Sequence, residues 1–386
     1  MQKDSTGLKE RERVKKLAAR RAKARGKRQP QITIGLDLGD RSSRYCALDE
    51  NGEVLLERSV LTTKKAMAQV FGALARCRIA LEVGTHSPWV SRLLNELGHE
   101  VIVANARQLK LITQSSRKDD KLDARTLARL GRVDPQLLRP IQHRREETQL
   151  HLTAIRTRAA LVDARTALVN AVRGLAKAFG ERLPACDADQ VHRESMRGHL
   201  PATLEAELQP LLRQIALLTE EIQRSNQRIE QIAKQYPEME LLCQVHGVGL
   251  LIALTFVLTI EDPVRFSKSR DVGCYLGLRP KRRDSGESQP QLSISKEGDR
   301  YLRKLLVQGA HCILKPQAPD TDLKRWGLKL AGRGGKRPRQ RALVAVARKL
   351  AVLLHRLWVS GEVYQPLRQA SAQAAKKRAS TRPHAA

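Results

Sequence analysis

Two stretches of about thirty residues set the architecture of this chain. Leu, Ile, Val and Ala recur every three or four positions from about 147 to 177, and again from about 203 to 234, with charges between them. That spacing belongs to long amphipathic helices. The intervening segment 180–201 carries Pro, Asp and Gly, which end helices and turn the chain. The expectation is an antiparallel helical hairpin or coiled-coil arm over 143–237, with separate regions before and after it. Such an arm makes protein contacts, within one chain or between copies.

Ahead of the arm the period changes to two. QITIGLD, RYCALDE (44–50) and EVLLERSV (53–60) read as strands, the last two joined by the hairpin turn Asn51-Gly52. A helix at about 63–76 follows, then the strand RIALEV (78–83). Ser87-Pro88 opens another helix, and HEVIVAN (99–105) is a further strand. Helical periodicity continues through about 106–114 and 119–131. The order βββαβαβα predicts a mixed sheet with helices on its faces over 31–142.

Past the arm, 238–362 reads as mostly helical. Gly247-Val248-Gly249 lies between two apolar helical segments, a helix-hairpin-helix-like arrangement whose turn offers backbone N–H groups to a phosphate. Residues 279–296 are polar and read as a loop. A basic helix with Arg300, Arg303 and Lys304 follows, then the glycine-rich basic run 331–341 and a last apolar helix at about 341–358. Residues 363–386 read as a basic tail.

Charge narrows the partners. The chain has 71 Lys and Arg against 40 Asp and Glu, a net +31. A charge of this size opposes compaction unless a polyanion neutralises it, and nucleic acid is the first candidate. Residues 1–30 alone hold twelve basic residues and three acids, a solvated tail able to hold nucleic acid loosely. Aromatics are 3% of the chain, which disfavours binding through stacked bases and favours phosphate contacts. No apolar run is long enough to span a bilayer, and the start is too charged for a signal peptide. A cytoplasmic, nucleoid-associated protein is expected. The six cysteines are scattered without a C-x-x-C pair, against both a zinc site and a disulfide framework.

A chain this basic places acids where a sheet would gather them. Asp37 ends the first strand, inside GLDLGD. Glu82 ends the fourth. Asp120 and Asp123 share one helix face by their spacing of three. Hard divalent ions take several oxygen ligands. Two ions about 4 Å apart clamp the attacking and leaving oxygens of a phosphodiester. The plainer alternatives are a strand-end turn at Asp37, a phosphate turn of the sugar-kinase kind, and a solvated helix start at Asp120 and Asp123 paired with Lys118 and Lys121. No second glycine-rich phosphate loop supports the kinase reading.

These local sequences, GLDLGD, LEVGTHSPW and KDDKLDARTLA, resemble the RNase H-like, RuvC-like domain of the DEDD transposases of bacterial insertion sequences, family 110. The C-terminal blocks VHGVGLLIALTFVLTI, FSKSRDVGCYLGLRP, DSGE and ISKEGDRYLRKLLVQGA are similar to that family too, in the same order over about 31–360. The resemblance implies that Asp37, Glu82, Asp120 and Asp123 hold Mg²⁺, two ions in all. It implies a serine nucleophile before a glycine, here Ser285, forming a covalent serine–DNA intermediate. It further implies recombination of double-stranded DNA guided by a structured RNA. Self-association through the arm, to a dimer or tetramer, is implied as well. The acid Asp284 beside the serine departs from the family's usual small polar residue.

Arg279, Lys281, Arg282 and Arg283 flank Ser285, and with Arg300, Arg303 and Lys304 they are the candidate nucleic-acid contacts. A serine hydroxyl needs a base or a metal to activate it. No histidine adjoins it in sequence, and His311 reads as a core residue of the same domain. Two other readings stand beside the recombinase. One is a RuvC-like junction nuclease in which water attacks. The other is a non-catalytic nucleic-acid-binding scaffold.

Overall fold

The computed structural model describes residues 32–105, 120–193, 198–283, 292–334 and 337–368, together with 285, 288 and 290. The expected segment 106–114, the tail 1–30 and most of the tail 363–386 lie outside the described residues. The chain packs as two compact units, 1–144 and 145–386.

The first unit is built on a five-stranded sheet of order β3-β2-β1-β4-β5. Its strands are β1 (Thr33–Asp37), β2 (Ser42–Leu48), β3 (Val54–Leu61), β4 (Arg78–Glu82) and β5 (Glu100–Ala104). β1, β2 and β3 form an antiparallel meander, while β1, β4 and β5 run parallel. Alternation assigns the faces. Ile34, Leu36, Tyr45, Ile79, Leu81 and Val103 pack against α1 (Lys64–Gly72) and α2 (Ser87–Glu96) through Met67, Phe71, Val90 and Leu94. Thr63 caps α1 by accepting from the Ala66 N–H, and the helix ends at Gly72, four residues short of expectation.

The opposite face carries α3 (Asp120–Val133). Small residues let it lie very close. A Cβ placed on Gly35 would sit 1.9 Å from the Ala124 carbonyl oxygen and 2.4 Å from the Ala128 nitrogen. Further along the helix, a Cβ on Gly131 would lie 3.0 Å from Ala80 Cβ and 3.7 Å from Thr33 Cγ2. Later helix residues thus lie over earlier strand residues. The helix runs antiparallel to β1 and β4, with its first turn over their C-terminal ends.

The second unit is largely helical. α4 (Glu146–Ala178) and α5 (Ala202–Ala233) pack along each other. Glu146 and Glu147 suit the positive end of α4. On α5 the inward residues Leu208, Leu212, Ile215, Thr219, Ile222, Ile229 and Ala233 are buried, alternating by four and three once Asn226 completes the series. Arg158 Nε donates to Asn226 Oδ1 at 2.8 Å and Arg165 Nη1 to Thr219 Oγ1 at 3.2 Å. The numbers rise by seven on one helix as they fall by seven on the other, so the pair is antiparallel.

The start of α4 and the end of α5 enter the main core through Leu152, Ile155, Ile229 and Ile232. That core is completed by α6 (Glu238–Leu242), α7 (Leu250–Ile260), α8 (Arg270–Tyr275), α9 (Arg300–Ile313) and α11 (Pro338–Ser360), with α10 (Asp322–Ala331) packed on α11. Gly247 does turn the chain between two helices, at φ +84°. It faces inward, however: a Cβ there would lie 2.7 Å from the Gly309 carbonyl oxygen of α9. The glycine serves helix packing.

Candidate active site

The register of β1 sets three side chains in a row. Leu36 pairs with Leu81, so Asp37 and Glu82 are the next residues on adjacent parallel strands. Asp37 also pairs with Arg44 across β2. Thr33, Gly35 and Ala80 meet α3, and alternation puts Asp37 and Glu82 on that same face. The first turn of α3 lies over this edge and carries Asp120 and Asp123. Asp37, Glu82 and Asp123 are each half-buried. The side chain of Asp120 lies outside the described residues.

The turn after Glu82 is held firmly. Ser87 is fully buried, and its hydroxyl donates to the Gly84 carbonyl at 2.8 Å while accepting from the Gly84 N–H at 3.0 Å. With its proton so used, the Ser87 oxygen accepts from His143 Nε2 at 2.9 Å. Burial, reinforced by Arg92 and Arg144, holds the His143 pKa below its ordinary value. His86 Nδ1 accepts from Trp89 Nε1 at 3.2 Å, which leaves its Nε2 to face Asp40 Oδ1 at 3.3 Å. This contact joins the turn after β4 to the turn after β1.

Ser285 lies in the second unit. The polar segment read as a loop is bridged as an antiparallel pair. Pro280 bridges Ile294, Lys281 N–H donates to Ser293, and Ser295 N–H donates to Arg279. Nearer the tip, Ser285 and Ser288 exchange backbone hydrogen bonds of 3.2 and 3.0 Å. Ser285 is exposed, as are Arg279, Lys281, Arg282 and Arg283.

Comparison with known proteins decides the family. A transposase model of the DEDD, IS110 type matches residues 34–179, and a model described as the transposase IS116/IS110/IS902 family matches residues 239–322. A probable family 20 transposase of Pseudomonas aeruginosa is 30% identical over 344 residues, covering 86% of this chain and 98% of the relative. The chain belongs to the IS110/IS116/IS902 family of transposases. The transposase for insertion sequence element IS1111A of Coxiella burnetii is 28% identical, covering 86% and 91%. That for IS1328 of Yersinia enterocolitica is 26% identical, covering 74% and 85%.

As a transposase it cleaves DNA and transfers strands, and the DEDD type implies dependence on a divalent metal. Hard carboxylate oxygens from two strand ends and one helix turn are the donors such an ion takes. Among the described side chains, no three of His, Cys, Asp and Glu gather closely enough to share an ion. The fit is one of donor chemistry and common edge.

The cations sort into two kinds. Arg300 is exposed like the four around Ser285. Lys304 Nζ pairs with Asp163 Oδ1 at 3.3 Å, tying α9 to α4. Arg303 makes internal contacts. Its Nη1 donates to the carbonyls of Leu276 at 3.1 Å, Glu297 at 2.5 Å, and Gly298 and Asp299 at 3.4 Å each. Through this one nitrogen the half-buried Arg303 braces the entry to α9. His311 is exposed on the last turn of α9, not in the core. Among the described residues, no helix is long and apolar enough to cross a membrane. Sequence reasoning passed over Arg44 and His86, which follow the acid-bearing strand ends closely, and His143, which carried no local signal and reaches Ser87 only through the fold.

Proposed function

We propose that this transposase cuts and rejoins the ends of its own insertion sequence through an RNase H-like acid site and a serine. Asp37, Glu82, Asp120 and Asp123 hold Mg²⁺, two ions at full occupancy. The observation that carries the reading is the common edge: two in-register strand ends face the first turn of a helix that lies against them. The bound metal supplies Lewis-acid stabilisation of charge on the phosphate oxygens.

The chain's own groups do the rest. Ser285 Oγ attacks the scissile phosphorus; the Oγ–P bond forms as the P–O bond to the departing strand breaks. The serine proton passes to solvent, and the departing strand oxygen takes one up. The incoming strand's hydroxyl then displaces the serine, restoring it. Exposure at the tip of a braced pair suits Ser285 to reach a duplex, and the four cations beside it grip phosphates. The serine acts with the acids of its own or another copy, in a dimer or tetramer assembled through a coiled-coil arm. A structured RNA guides the choice of DNA.

The test uses the gene with its native flanking DNA in a bacterial cell, amplifying across the junction of the excised circle. Asp37→Ala and Ser285→Ala should each abolish the junction at unchanged protein level. A junction that persists in Ser285→Ala would make water the nucleophile. One that persists in Asp37→Ala would remove the acid site.

A further inference from the structure

The acid row ends on a cation that the proposed chemistry does not use. Arg44 lies on β2 across from Asp37. Cys46, two residues on, packs with Ala124 and Ala128 of α3. Alternation therefore turns Arg44 to the α3 face as well. Read across the sheet, that edge presents Arg44, Asp37 and Glu82 on three neighbouring strands.

Arg44 also borders a cavity of about 140 Å³, walled further by Tyr45, Cys46, Glu57, Arg58 and Ala124. One carboxylate lines it, Glu57. Arg125 engages that carboxylate with Nε at 2.9 Å and Nη2 at 2.8 Å. Of the cations on this wall, Arg44 shares the α3 face with Cys46 and Glu57, whereas Arg58 pairs with Tyr45 and so turns to the other face. Ions held by the acids would engage the scissile phosphate, and the next phosphate along the strand still brings a negative charge of its own. A guanidinium beside the acids offsets it and offers a planar fork that matches two phosphate oxygens.

We infer that Arg44 binds a backbone phosphate of the DNA strand next to the bond that is cut, fixing that strand against Asp37 and Glu82. This rests on the acid-site reading above. The competing role is purely internal, Arg44 serving only as the cross-strand charge partner of Asp37.

The full-length protein is titrated with a labelled duplex carrying the native element end, over a series of salt concentrations, and junction formation is measured in cells. Arg44→Ala should lower the slope of log affinity against log salt by about 1. It should cut junction yield by roughly 10²-fold. Arg44→Lys should recover the slope but only part of the yield, because an ammonium cannot form the fork. The thermal midpoint should stay at the wild-type value in both. Should Arg44→Ala fail to fold, Arg44→Gln is read in its place by the same two measures. An unchanged salt slope overturns the inference, whatever the yield does. Asp37→Ala, run alongside, separates the two readings. If it abolishes the junction while Arg44→Ala behaves as wild type, only the Arg44 role falls. If Asp37→Ala still recombines, the acid site falls and this inference with it.

Discussion

Among the described glycines of the N-terminal unit Gly35 leaves the least room for a side chain, and adding one methyl group there tests how the acid edge is built. In Gly35→Ala the new carbon would stand 1.9 Å from the Ala124 oxygen and 2.4 Å from the Ala128 nitrogen. Both are backbone atoms of a helix and cannot swing aside. Ordinary contact begins at 3.4 Å, so α3 must retreat by about 1.5 Å. A gap of 0.5–1 Å already forfeits about a quarter to a half of each dispersion contact. The buried residues Cys46, Leu48, Ala124, Leu127 and Ala128 would all feel it. The expected cost is about 3 kcal/mol, the top of the overpacking range. That is a large share of the roughly 5–15 kcal/mol a domain has. The unit's thermal transition should drop by about 10 °C, and junction formation should be lost even in the folded fraction, because Asp123 rides on the displaced helix. Gly84→Ala is the control: its Cβ would meet nothing within 4 Å, and both readouts should hold. A Gly35→Ala protein with wild-type midpoint and wild-type junction yield would refute the reasoning.

Gly247→Ala should cost the C-terminal unit about 2–3 kcal/mol, from its φ of +84° and the Gly309 oxygen at 2.7 Å, while Gly249→Ala should cost under about 1 kcal/mol; denaturant unfolding compares the two. Stability of the N-terminal unit should also fall at both ends of the pH scale. The lowered pKa of His143 lets the unfolded chain take its proton first, so stability drops as pH falls below about 6.5. Burial pushes the Cys77 thiol up to about 11, and burial with Glu57 does the same for Cys46. The unfolded thiols ionise near 9, so stability falls as pH climbs from about 9 towards 11. Unfolding at pH 5.5, 7.5 and 10 reads both limbs, and Cys46→Ala with Cys77→Ala should flatten the alkaline one.

The strands were legible because alternation is local, and Asn51-Gly52 announced its hairpin. Strand order was not, since the parallel pairing of β1 with β4 joins residues forty-five apart. The acids could be picked out as strand-end and helix-face residues, but the row with Arg44 needs a register that no single strand encodes. GLDLGD drew attention to Asp37, whereas Gly35 in the same run answers to Ala124 on a distant helix. In the arm, apolar spacing predicted two helices. It did not predict that Arg158 and Arg165 would turn inward to Asn226 and Thr219, because charge in a sequence reads as solvent-facing. The pairing around Ser285 was hidden by polarity: a bridged pair without an apolar face looks like a loop.

The direction of α3 has a consequence for how relatives diverge. β5 ends at the same edge of the sheet where α3 begins, so the two ends to be joined lie on one side of it. Nothing in the strand register fixes how many residues make that connection. Insertions and deletions between Ala104 and Asp120 therefore leave the register, the Gly35 contact and the acid row untouched. Length differences within this family are expected to collect there, where they leave the sheet and its packed helix unaltered.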